Sequence, residues 1–304
     1  MQLRGIFPPM ATPFTADGDA IDVGALRHNL DRWLTTSLAG FVLLGSNGEA
    51  ALIEEDEADA LVGEVRERVP ADRLVIVGTG RESTRGTIGA SRRAAQLGAD
   101  AALVRVPGFF KAQMTADALV RHYVAVADAS PIPVILYNFA AAFGVNLPTD
   151  AITRLAAHPN IVGLKESGGD VAQVAEQVAS TPADFAVVVG AAPALYASLC
   201  VGARGGVVAV ANVVPEACVR LFDLTVAGRH EEALALQRAL APLARAVTAT
   251  HGVAGLKAAM TLAGYRGGTP RPPLVPAGPA VVSALSAQLS TLQQFVEATH
   301  GVAS

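Results

Sequence analysis

Three short stretches of this 304-residue chain carry side chains that can do chemistry. In IVGLKESGGD (161–170), Lys165 follows Ile161, Val162 and Leu164, where a buried strand would hold only apolar side chains. A lysine amine with its reference pKa of about 10.4 is protonated at neutral pH and cannot attack a carbonyl. Burial disfavours the charged form and frees the amine to make a Schiff base with a ketone. The iminium then acts as an electron sink, so that a carbon–carbon bond beside the former carbonyl can break or form. The same position also suits a lysine paired with Glu166, or one that extends past the strand end to solvent.

PVILYN (133–138) supplies Tyr137, whose phenol can move protons to and from a carbinolamine or simply pack in a core. GSNGEA (45–50) is a glycine-flanked turn whose backbone N–H groups, with Ser46 and Asn47, can hold an anion such as a substrate carboxylate. Without context it is only a turn. Phosphate is the rival ligand, but the stretch lacks the Lys-Ser/Thr ending of a Walker loop, and the dinucleotide glycine fingerprint is missing as well. The six histidines (His28, His122, His158, His230, His251 and His300) are scattered, do not form a metal-binding cluster, and are expected at the surface. Cys200 and Cys218 lack ligand spacing and are expected as buried, inert thiols in helical segments.

These residues need a scaffold, and the chain is rich enough in apolar residues to build one. Hydrophobic residues make up 51% and charged residues 16%, with a formal net charge of -4. That balance, without a block of Lys and Arg, argues against nucleic acid or an anionic membrane as partner. MQLRGIFPPM is neither a basic leader nor a continuous apolar run, and no segment approaches the roughly 20 apolar residues of a membrane span. A cytoplasmic enzyme acting on a small molecule is expected.

Eight short apolar runs recur, at 5–13, 40–45, 73–80, 101–108, 133–138, 161–167, 185–191 and 205–212. Most are continuous rather than alternating, as strands covered on both faces are. Helical patterns fill the gaps. Ser83 or Thr84, Thr115, Thr149, Asp170 and Pro193 mark starts, and Gly98 and Gly202 mark stops. Eight β-then-α units over about 210 residues predict a (β/α)8 barrel at 1–225, followed by C-terminal helices at 226–304, including 230–249 and 278–299. A doubly wound open sheet is the other architecture with this element order. In a barrel the site lies where the strands end. The strand ends offer Ser46, Asn47 and Glu49, then Thr79, Glu82 and Ser83, then Tyr137 and Asn138, Lys165 and Ser167, Gly190, and Asn212.

Taken together and in this order, GSNGEA, Tyr137-Asn138 and GLKES (163–167) resemble the dihydrodipicolinate synthase and N-acetylneuraminate lyase family of class I pyruvate-dependent aldolases. The resemblance runs from about residue 3 to 295. It implies a (β/α)8 barrel with C-terminal helices, a homotetramer, and no metal or organic cofactor. It also implies that Lys165 forms the Schiff base with pyruvate or a 2-oxo acid, that Tyr137 transfers protons, and that Ser46 and Asn47 hold the pyruvate carboxylate and hydrogen-bond the tyrosine. Gly190 and Val207 fall at positions that line the pocket.

Dihydrodipicolinate synthases carry an arginine just after the tyrosine-asparagine pair to bind the carboxylate of aspartate semialdehyde; here Ala142 stands there and cannot form that pair. SPIPVILY, HPNIVGLKESGGDV and GVAGLKAAMTLAGYRGG are more similar to the 4-hydroxy-2-oxoglutarate aldolase branch, in which Ser167 is expected near the substrate's hydroxyl or distal carboxylate. The expected reaction is cleavage of a 4-hydroxy-2-oxo acid to pyruvate and an aldehyde. The alternatives are dihydrodipicolinate synthesis, chemistry on a 2-oxo-3-deoxy sugar acid, and a catalytically idle 2-oxo-acid binder. Where the family has a tyrosine after the fourth strand, given to the neighbouring subunit, this chain has Phe109 and Phe110, and Phe110 is expected to fill that space without the hydroxyl. Arg105 and Lys111 near the same loop could meet a distal carboxylate, with solvent exposure as the default.

Overall fold

The computed structural model describes residues 1–300; the last four residues of the expected C-terminal segment lie outside them. Eight strands form one sheet: β1 (Gly5–Phe7), β2 (Gly40–Leu43), β3 (Leu74–Gly78), β4 (Ala101–Arg105), β5 (Val134–Asn138), β6 (Ile161–Glu166), β7 (Ala186–Val189) and β8 (Gly205–Val207). All pair in parallel in the order β1-β8-β7-β6-β5-β4-β3-β2. The two ends of that order also meet. Pro9 bridges Val42, with Met10 N–H donating to the Val42 carbonyl at 2.8 Å and Val42 N–H donating to the Pro8 carbonyl at 3.0 Å. The sheet is therefore a nearly closed barrel, and the open doubly wound alternative is excluded.

Each of the eight runs yields a strand, but the first and last are shorter than the apolar runs suggest. β1 stops at Phe7 because Pro8 and Pro9 have no N–H to extend the ladder. After β8 the chain turns into a 3-10 segment, Ala209–Asn212, that the buried Asn212 amide holds. Its Oδ1 accepts from Ala11 N–H at 3.2 Å, and its Nδ2 donates to the carbonyls of Pro9 at 3.0 Å and Ala209 at 2.9 Å.

The helices around the barrel are α1 (Val23–Leu34), α2 (Glu55–Arg68), α3 (Thr84–Gln96), α4 (Ala116–Ala129), α5 (Ala140–Phe143), α6 (Thr149–Ala156), α7 (Val171–Ala179), α8 (Leu195–Cys200) and α9 (Pro215–Val226). α10 (His230–Arg245) runs on into a π-helical turn, and α11 (Gly252–Leu262) and α12 (Pro279–His300) follow. Side-chain oxygens of Ser83, Thr115 and Asp170 accept from the first turns of α3, α4 and α7, as N-caps do.

Alternation along the strands separates two cores. Phe7, Val42, Ile76, Leu103, Ile135 and Val188 fill the barrel, while the intervening residues pack against the helices in a larger outer core. His122, expected at the surface, and Cys200, expected to be buried, are the reverse. His122 is buried between α3 and α4, its Nδ1 2.9 Å from Thr84 Oγ1, because it lies on the apolar face of α4 with Leu119 and Val126. Cys200 is exposed, since α8 ends there and turns its last residue outward; only Cys218 is buried. No helix among the described residues is long and apolar enough to cross a membrane.

Candidate active site

The period-two alternation of β6 sends Lys165 and Glu166 to opposite faces. Glu166 faces the helices and is occupied by four neutral donors. Gly168 N–H reaches Oε1 at 2.7 Å, while Asn138 Nδ2, Gln177 Nε2 and Gln173 Nε2 reach Oε2 at 2.8, 3.0 and 3.1 Å. It does not pair with Lys165. Lys165 faces the barrel interior and is only 3% exposed, so it does not reach past the strand end to solvent either.

The barrel register sets Tyr137 of β5 directly beside Lys165. Lys165 Nζ lies 4.1 Å from the centre of the tyrosine ring. On the far side of the mouth, Ser46 opens a 3-10 turn (Ser46–Gly48) after β2, and its Oγ lies 3.4 Å from the Tyr137 hydroxyl. Asn47 sits half-buried in the same turn. Ser167 follows Lys165, anchored by its N–H to the Asn138 carbonyl at 3.0 Å. Gly190, at the end of β7, lies against both: a Cβ there would overlap the Ser167 hydroxyl and come within 3.3 Å of Lys165 Cε. Val207, the last residue of β8, is buried with Tyr137 in the inner core. Lys165, Tyr137, Ser46, Ser167, Gly190 and Val207 thus converge at one end of the barrel.

Phe110 is not brought to this chain's own site. It is 65% exposed and packs edge-on against Phe109, with ring centres 5.0 Å apart. The reason lies in the loop after β4. Glu82 accepts from the N–H groups of Gly108 at 3.0 Å and Phe109 at 2.9 Å, and this anchor turns the aromatic pair outward.

Other strand-end residues prove to be braces. Thr79 points outward to Ser91 Oγ at 2.9 Å, Ser83 caps α3, and Asn138 and Asn212 hold backbone turns. Glu49 is buried, in a 2.5 Å ion pair with Lys257 of α11, and its other oxygen accepts from Arg271 N–H at 2.8 Å. Lys111 is exposed at the start of a 3-10 turn.

A cavity of about 560 Å³ opens beside the tyrosine, lined by Ser46, Glu55, Arg81, Arg105, Tyr137 and Phe143 among others. Lys165 does not line it; the amine lies over the Tyr137 ring, which does. Phe143 meets Tyr137 edge-on at 5.3 Å and Phe139 stacks on it at 6.4 Å, making an aromatic wall. These two phenylalanines and Arg81 went unnoticed in the sequence, although Arg81 directly follows the third strand's GTG and the phenylalanines follow Tyr137 within six residues. Arg105 is part of the cavity rather than free in solvent, because it pairs with Glu82 at 2.8 Å and lies 5.5 Å over the Phe143 ring. Burial alone would raise the Glu82 carboxyl pKa, but the Phe109 N–H, Arg105 and the Gly108 N–H outweigh it and hold the value below the usual range. Burial, together with Arg93 and Arg105, pushes the Arg81 pKa down, against the pull of Glu55. Among the described residues no group of three or more His, Cys, Asp or Glu side chains could hold a metal ion.

The Dihydrodipicolinate synthetase family model matches residues 2–292. The chain is 36% identical to the L-threo-3-deoxy-hexylosonate aldolase of Hypocrea jecorina, with 92% of this chain and 93% of that one covered. It is 34% identical to a 4-hydroxy-tetrahydrodipicolinate synthase of Exiguobacterium sp., over 96% and 98% of the two chains. It is 37% identical to a probable mitochondrial 4-hydroxy-2-oxoglutarate aldolase of Emericella nidulans, over 89% of each. Among solved structures, dihydrodipicolinate synthase from Thermotoga maritima superposes with a TM-score of 0.92 at 30% identity, over 96% of this chain and 99% of that one. A prophage protein of the dihydrodipicolinic acid synthase family from E. coli K12, in complex with pyruvate, superposes with a TM-score of 0.90 at 28% identity, covering 96% and 99%. With fold, motif order and near full-length similarity in agreement, the chain belongs to the dihydrodipicolinate synthetase family.

Proposed function

We propose that the protein is a Schiff-base carbon–carbon lyase that splits a 4-hydroxy-2-oxo acid into pyruvate and an aldehyde, with 4-hydroxy-2-oxoglutarate, which gives glyoxylate, as its substrate. The observation that carries this reading is Lys165: a lysine inside the barrel mouth, with its neighbouring carboxylate engaged on the opposite face and a tyrosine against its amine. Its flexible stem lets the amine swing past the ring into the cavity. The neutral amine adds to the C2 carbonyl, water leaves, and an iminium forms. Tyr137, which Ser46 orients, gives its proton to the hydroxyl that leaves as water when the iminium forms, and its phenolate then takes the C4 hydroxyl proton as the C3–C4 bond breaks and its electron pair passes into an enamine. The aldehyde departs. Protonation of the enamine at C3 and hydrolysis of the imine then release pyruvate and the free lysine.

Ala142 favours this reading over condensation with aspartate semialdehyde, because an exposed alanine on α5 offers no guanidinium to that substrate's carboxylate. The relatives' names span both reactions and a sugar-acid aldolase, so a substrate panel separates them. Soluble homotetramers in the cytoplasm fit this assignment, and mass photometry reads the assembly.

The decisive experiment is intact mass after incubation with pyruvate and borohydride, run beside Lys165→Ala. One reduced pyruvate is expected on the wild type and none on the variant, which keeps its circular dichroism and loses turnover. Turnover retained by Lys165→Ala would remove the lysine from the mechanism. An adduct without aldehyde release from any panel substrate would indicate a 2-oxo-acid binder instead, and a large gain of rate in Phe110→Tyr would then trace the defect to the missing phenol.

A further inference from the structure

We propose that Arg81 is a specificity residue that receives a carboxylate at the aldehyde end of the substrate, so that the preferred substrate is a dianion with a carboxylate at each end. This inference rests on the Schiff-base reading above, which puts the C2 end at Lys165.

Arg81 lines the cavity on the side of β3 and α3, and Tyr137 and Ser46 line it on the side of the reacting end. Every carboxylate near Arg81 is more tightly held by another group. Glu55 lies 3.7 Å from Arg81 Nε but 2.7 Å from Arg93. Glu82 is held by Arg105 at 2.8 Å and by two backbone N–H groups. Glu54 forms the capping box at the start of α2, and Glu49 is locked to Lys257. Arg81 is thus a partly buried guanidinium beside two other arginines, which shares Glu55 at 3.7 Å with Arg93 and donates from Nη1 to the Gly80 carbonyl at 3.3 Å.

Glu55 engages Arg81 only through Nε at 3.7 Å, and a guanidinium matches a carboxylate with two parallel N–H donors. Arg105 adds to the positive potential from the same wall, and Gly80 gives it room: a Cβ at residue 80 would lie 2.6 Å from Arg105 Cγ. Ser46, on the turn proposed to hold the C1 carboxylate, and Arg81 line one cavity. A substrate with one carboxylate at each end would engage both.

The experiment compares kcat/KM for 4-hydroxy-2-oxoglutarate, a dianion, and 4-hydroxy-2-oxopentanoate, a monoanion whose aldehyde end is a methyl group. Wild type, Arg81→Lys and Arg81→Met are measured, with the pyruvate–borohydride trap run on the same wild-type preparation. Loss of a charge-assisted hydrogen bond predicts a fall of about 10- to 100-fold in the dianion-to-monoanion ratio for Arg81→Met, borne mainly by KM for the dianion, with Arg81→Lys between. Because the readout is a ratio, partial loss of folded protein does not move it. An unchanged ratio with the wild-type adduct present would overturn the assignment of Arg81 alone. Absence of that adduct would overturn the Schiff-base reading and this inference with it.

Discussion

At the scale of single residues, the chemistry of a group depends on which face of its element it occupies. Lys165 and Glu166 are adjacent in sequence, yet one faces the barrel and the other takes four hydrogen bonds beneath the helices. His122 shows the same dependence through its protonation. Burial, with Arg105 nearby, lowers its pKa to about 4 from an ordinary 6.5, although Glu82 opposes the shift. The unfolded chain therefore binds a proton at His122 at a higher pH than the folded chain does. Stability is full above pH 6.5 and falls as the pH drops towards 4, by about 3 kcal/mol in all. His122→Gln is expected to remove this contribution, so urea unfolding measured from pH 7 to 4 should show a flatter acid limb than in the wild type. An identical limb would mean that His122 titrates as it does in the unfolded chain.

At the scale of elements, the turn that presents Ser46 and Asn47 is held from outside the barrel. Glu49, which ends that turn with a left-handed backbone (φ 59°), is buried against Lys257 of α11, whose amine also donates to the Thr269 carbonyl at 2.9 Å and lies 4.5 Å from the Phe14 ring. Arg271 joins the cluster through Glu57 at 2.5 Å. The C-terminal part of the chain thereby braces the β2–α2 loop at the mouth. Lys257→Met leaves the Glu49 carboxylate buried without its cation, and is expected to cost about 3–5 kcal/mol in urea unfolding. The double variant Glu49→Gln/Lys257→Met is expected to recover part of that loss; strictly additive losses would show that the pair is not coupled. The glutamate of GSNGEA was legible as a strand-end residue, but its partner was not. Lys257 lies in an ordinary helical pattern more than 200 positions away, and only packing brings the two together.

At the scale of the whole molecule, the helices after the barrel share its outer core. Leu285, Leu289 and Leu292 of α12 are buried in the same cluster as Leu256, Leu240 and Trp33. Removing residues 279–304 would expose those three leucines and the surface they cover. At about 1.5–3 kcal/mol for each buried leucine, the loss rivals the net stability of a typical domain. The truncated chain is expected to lose its cooperative calorimetric transition or to become insoluble, whereas an unchanged melting temperature would show α12 to be dispensable.

The eight strands, their parallel order and most helix starts were legible because they rest on local signals: β-branched runs, capping residues and the regular βα period. GSNGEA, Tyr137 and Lys165 were legible because each stands at a strand end, where a barrel gathers polar groups. The sequence by itself therefore determined the order of the βα units and the candidate site residues at their ends. Tertiary structure decided the rest: closure through the Pro9–Val42 bridge, the burial of His122, the outward turn of Phe110, and the meeting of Arg81, Arg105 and Phe143 in one cavity. The physical reason is range. Strand and helix propensities act over a few residues, whereas burial, counter-ion pairing and cavity shape depend on groups brought together from distant parts of the chain.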